Sequence, residues 1–134
     1  MRIFLDANVL FSAAKSDGAM RALLTRLHSL GHELWADGYV MEEARRNLAA
    51  KFPTSLPALA AIERTLTVAP FSVSDLSAVS ALKLPPKDQP VLAAAIHHRC
   101  DILVTGDRTH FGFLYGRTLH GVTIHSPSSM GERA

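Results

Sequence analysis

Three aspartates stand where regular elements would hand a carboxylate to a crevice. Asp6 follows the apolar run Ile3, Phe4, Leu5 directly, and Asp107 follows Ile102, Leu103, Val104 and Thr105 after a single glycine. Asp88 heads the series Val91, Leu92, Ala95, Ile96, whose spacing from it marks the buried stripe of a helix. Two adjacent acids, Glu42 and Glu43, fall in another helical segment, both away from the centre of its apolar face, with Glu43 nearer the edge and Glu42 toward solvent. Each acid has an ordinary structural alternative, because aspartate is favoured in turns and helix caps and a helical glutamate beside Arg45 and Arg46 suits a solvated surface. Chemistry arises only if they converge. Carboxylates drawn into one crevice repel one another unless a cation sits among them, and hard oxygen ligands favour magnesium, manganese or calcium. Such a cluster suits metal-assisted phosphodiester hydrolysis, in which the metal polarises the phosphoryl oxygen and lowers the pKa of an attacking water.

The elements that must position these acids are legible as alternating strands and helices. Residues 3–5, 33–36 and 102–105 are short apolar runs of the kind buried in a parallel sheet; 122–125 reads as a last strand and 67–70 as a weaker one. Helical periodicity covers 19–30, with Gly31 in the place of a C-terminal cap, and 39–52, with Val40, Met41, Ala44, Leu48 and Phe52 on one side and Pro53 stopping it. Shorter helices are expected over 56–66 and 76–82, and another runs from the Pro85-Pro86 break to about Arg99. This alternation predicts an α/β protein, three layers deep, with a central parallel sheet between helices. Ligands of such sheets bind at the carboxyl ends of the strands, which is where Asp6 and Asp107 belong.

One globular domain over residues 1–134 is expected, since 48% hydrophobic content fills one core; residues 128–134 read as a loose tail. A net charge of +2 with a pI near 9.0 is compatible with a polyanionic partner without demanding one. The single cysteine, Cys100, excludes an intramolecular disulfide. With no signal-like segment after Met1 and no apolar run of membrane-spanning length, a soluble cytoplasmic protein is expected. His28 with His32, and His97 and His98 with Cys100, lack the spacing of a zinc set, and no glycine-rich phosphate loop follows the first strand.

At the acidic positions the sequence resembles the PIN-domain family, in particular the VapC-like toxins of prokaryotic toxin–antitoxin systems. Asp6-Ala7-Asn8-Val9-Leu10 is similar to the family's first motif, and Glu43 falls where its second acid precedes a leucine-containing helix segment. The stretch from Asp88 to Ile96, followed by Cys100 to Asp107, is similar to its paired acids across a helix and a strand. The resemblance implies an endoribonuclease using one or two magnesium or manganese ions, held by Asp6, Glu43, Asp88 and Asp107, which would also activate water. Asn8 and Thr105 would support the site, and Lys87, Arg108 and His110 would be the candidates for RNA phosphate contacts. It implies an antitoxin protein as partner and a homodimer. Asp101 reads as structural, at the start of its strand. A PIN-like RNA-binding or scaffolding module with little catalysis is the alternative.

Overall fold

The computed structural model of the chain describes residues 1–71 and 76–133. Its centre is made by two strands, β1 (Arg2–Leu5) and β4 (Ile102–Val104), paired in parallel with Ile3 opposite Ile102 and Leu5 opposite Val104. Ile3, Phe4, Leu5 and the three β4 residues are all buried, as continuous apolar strands covered on both faces must be. On the far side of β1 lie β2 (Glu33–Asp37) and then β3 (Thr67–Ala69); beyond β4 lies β6 (Val122–His125), hairpinned to the short antiparallel β5 (Thr118–Leu119). The order is therefore β3-β2-β1-β4-β6-β5.

That order reverses direction between β1 and β4. From β1 the chain winds outward through α1 (Ala7–Lys15), α2 (Ala19–Ser29), α3 (Gly38–Lys51) and α4 (Leu56–Glu63), which pack on one another. It then returns through α5 (Gln89–His97) to the other side of β1. Right-handed crossovers in opposite directions put the two groups of helices on opposite faces, and the crevice opens at the point of reversal. The buried apolar residues form one cluster that includes both strands and the inner faces of α1 to α5.

Several local features depart from the expectations. Residues 76–82 form turns, not a helix: Val79 and Ser80 N–H groups both bond the Leu76 carbonyl and the Leu82 N–H bonds the Val79 carbonyl, successive tight turns that end at Leu84 and the two prolines. Helix α1 was not expected as a separate element, although Asn8, Ser12 and Lys15 fall on one face opposite buried Val9, Leu10, Ala13 and Ala14; it begins where Asp6 Oδ1 accepts the Ala7 N–H at 2.7 Å. Phe52, expected on the buried stripe of α3, is 41% exposed, since Pro53 forces it out of the helical region and turns its side chain away. The tail expected to be loose carries α7 (Pro127–Arg133), which contacts α2 and β6 and is anchored by buried Met130. Gly31 does end α2 in the left-handed region, with φ +85°.

Candidate metal centre

Asp6 leaves the end of β1 and caps α1, and it is almost fully buried. While Oδ1 holds the Ala7 N–H, Oδ2 accepts the Thr105 hydroxyl at 2.9 Å and the Asn8 amide at 3.2 Å. Thr105 is the junction: it lies wholly buried at the end of β4, and its Oγ1 also accepts from Asn8 Nδ2 and from the Asp107 N–H. Asn8 closes the ring by accepting the Gly106 N–H at 2.7 Å. A Cβ at residue 106 would stand 3.2 Å from Asn8 Oδ1, so the glycine between Thr105 and Asp107 keeps this approach open.

Asp107 caps the short α6 (Arg108–Phe111), accepting the His110 N–H, and its Oδ2 lies 2.7 Å from His110 Nδ1. The same imidazole nitrogen lies 3.2 Å from Asp88 Oδ2. This last pair is within ionic reach but lacks hydrogen-bond geometry, so Asp88 Oδ2 is a buried carboxylate oxygen with no hydrogen-bond partner. Nor does Asp88, only 7% exposed, make the capping bond that its place before α5 would allow. His110, expected to reach for phosphate, is thus engaged between two acids.

Asp6, Asn8, Glu43, Lys87, Asp88 and Asp107 line one cavity of about 300 Å³. Glu43, half-buried on α3, faces it, while Glu42 lies exposed in an ion pair with Arg45. Arg108 is exposed at the head of α6 and does not line the cavity. Three lining side chains escaped the sequence reading: Asn47 and Lys51 on α3, and Phe11 on α1. The first two had a signal, since Glu43, Asn47 and Lys51 recur at i, i+4, i+8 along one helix face.

The cavity is a poor place for bare charge. Burial pushes the Asp6 carboxyl up to about 6, the bonds from Thr105 and Ala7 oppose this, and Glu43 and Asp88 raise it further. Asp88 is likewise raised, by burial first and by Asp107 next, against the pull of His110 and Lys87. Crowded, desolvated carboxylates are relieved by a proton or a cation. Oxygen donors, among them the Asp88 oxygen that accepts no hydrogen bond, fit a hard divalent ion. Among the described residues, Asp88, Asp107 and His110 form a group whose donor atoms lie within 4.8 Å of one another.

This arrangement coincides with the segment matched by a family model described as PIN domain, which spans residues 2–109 and takes in all four acids. The chain belongs to the PIN-domain family. No curated protein sequence matches it. Among solved structures, this PIN domain is similar to a chain of VapBC2 from Rickettsia felis, solved bound to a DNA fragment from the VapBC2 promoter. The TM-score is 0.71 at 14% identity, over 94% of this chain and 98% of that one. It is also similar to Mycobacterium tuberculosis VapC20, a Sarcin-Ricin loop cleaving toxin, with a TM-score of 0.56 at 15% identity over 75% and 86% of the two chains. A third likeness is to FitAB bound to an IR36 DNA fragment, with a TM-score of 0.57 at 15% identity over 93% and 94%. At such identities the likeness is one of fold. No helix among the described residues is long and apolar enough to cross a membrane.

Proposed function

We propose that this PIN domain is a metal-dependent endoribonuclease and the toxin of a toxin–antitoxin pair. The observation that carries the reading is the gathering of Asp6, Glu43, Asp88 and Asp107, from four distant stretches of chain, in one cavity at the reversal point of the sheet, with an Asp88 oxygen buried and unbonded. These four side chains would hold one or two magnesium or manganese ions. When bound, such an ion polarises a phosphodiester and lowers the pKa of an attacking water.

The rest follows from the chain's own groups. Thr105 and Asn8 fix the Asp6 carboxylate so that it does not reorient as charge develops. Asp6 and Asp88 are desolvated and crowded by neighbouring acids in the metal-free protein, which favours a bound cation over bare charge. His110 holds Asp88 and Asp107 together and offsets part of their repulsion. Lys87 and Lys51, at the rim, draw in phosphates. The VapC20 neighbour is described as cleaving the Sarcin-Ricin loop, and the VapBC2 and FitAB neighbours as assemblies on DNA, which supports RNA as substrate and an antitoxin as partner. A homodimer in the cytoplasm completes the proposal.

Manganese titration of the purified chain tests this directly. The expected result is thermal stabilisation by the ion and metal-dependent cleavage of RNA, with Asp6→Asn lowering turnover about a hundredfold or more while RNA binding persists. Binding of RNA with no metal-dependent turnover in the wild type would instead make the protein a PIN-like binding module.

A further inference from the structure

Along the cavity-facing side of α3, Tyr39 stands one helical turn before Glu43, so that Tyr39, Glu43, Asn47 and Lys51 form a stripe about 18 Å long. At its Tyr39 end a second groove adjoins the carboxylate cavity, sharing Glu43 and Lys87 with it and adding Arg46 and Phe71. The Phe71 ring stacks on Tyr39, with centroids 5.4 Å apart and planes 26° from parallel, yet it remains 53% exposed. This pair is tied to the acids: the Tyr39 hydroxyl donates to the Lys87 carbonyl at 2.7 Å, and Lys87 immediately precedes Asp88. The contact also depends on Gly38, where a Cβ would meet the Phe71 backbone nitrogen at 3.2 Å and its Cβ at 3.3 Å.

A single exposed phenylalanine needs no explanation. An exposed ring pre-stacked on a second ring, flanked by Arg46 and Lys87, and joined to a phosphodiester-cleaving pocket is the arrangement by which proteins hold single-stranded nucleic acid. We propose that Phe71, backed by Tyr39, is the platform on which an unpaired base of the RNA stacks next to the cleaved phosphate, Arg46 and Lys87 taking the adjoining phosphates. The platform rests on the nuclease reading for its substrate, and it makes the enzyme one that takes unpaired RNA. Because stacking tolerates any base, the platform selects strand form over sequence.

The test uses the intact chain and its Phe71→Ala and Phe71→Trp variants, on short single-stranded RNA carrying 2-aminopurine at each position in turn, with manganese. The expected result is quenching at one position, lost in Phe71→Ala, with KM raised about tenfold and kcat little changed; Phe71→Trp restores both. Cleavage of a small diester without a base is expected to respond far less to Phe71→Ala than cleavage of RNA does. Wild-type cleavage with KM and quenching indifferent to Phe71→Ala would overturn the platform and leave the nuclease reading standing. Quenching that depends on Phe71 without any cleavage would sustain the platform and sink the nuclease. If Phe71→Ala releases a co-expressed protein partner while KM for RNA is unmoved, the surface docks protein and the proposal fails.

Discussion

Asp6 uses its two oxygens differently: Oδ1 begins a helix, while Oδ2 is held for the cavity by Thr105 and Asn8. Capping and chemistry were alternatives on the sequence; in the structure one side chain does both, and Asp107 repeats the pattern at the head of α6. What distinguishes Asp88 is invisible in sequence, namely that its cap position carries no cap bond. The electrostatic consequence is measurable. The Asp6 pKa is raised from 3.8 to about 6, so between those values the folded, metal-free protein binds more protons than the unfolded chain. Stability therefore falls as pH rises through this window. Referring wild type to Asp6→Asn isolates this residue from His98 and His125, whose lowered pKa values act in the opposite direction. Denaturant unfolding of the two metal-free proteins is expected to show the wild type losing roughly 3 kcal/mol relative to the variant from below pH 4 to above pH 7. A pH-independent difference would show that Asp6 is not desolvated.

Among the elements, α3 was the most fully legible, because its apolar stripe and its Pro53 stop are local signals. Val40, Met41, Ala44 and Leu48 are all buried as the period requires. Its other face, from Tyr39 to Lys51, was read only at Glu43, since a polar residue on a half-covered face carries no mark of what it looks toward. Failures fell where the signal was short. Five apolar positions across 76–82 mimic a helical turn, and α1, capped by a residue singled out for chemistry, was absorbed into the motif. The division of α3 into two faces has a mechanical corollary: Leu48, wholly buried, supports the face that carries Glu43 and Asn47. Leu48→Ala is expected to cost about 2–5 kcal/mol, read as a lower urea midpoint with little change in slope. A loss below about 1 kcal/mol would mean that the helix seat collapses around the void.

For the whole molecule, alternation of strands and helices gave the class, but not the strand order. Parallel pairing joins segments far apart in the chain, and nothing local in residues 3–5 says that they meet 102–104 before 122–125. The position of the site at the reversal was therefore reached only through the general rule for such sheets. Cys100 reports on global opening. It is buried between α5 and β4, and burial pushes its thiol up to about 12. A thiol reagent is expected to modify the folded protein only as fast as it opens, and bound manganese to slow this further by favouring the folded state. Rapid labelling under native conditions would show that the β4 region opens on its own.

The neighbour that β1 needs on its inner side, β4, lies far along the chain from it. A chain leaving the ribosome presents Asp6 and Glu43 long before β4 can slot beside β1 and bring Asp107 to the edge. Half of the sheet must wait for it. The nascent polypeptide thus lacks the assembled pocket until the residues of β4 and Asp107 have been made and can reach β1.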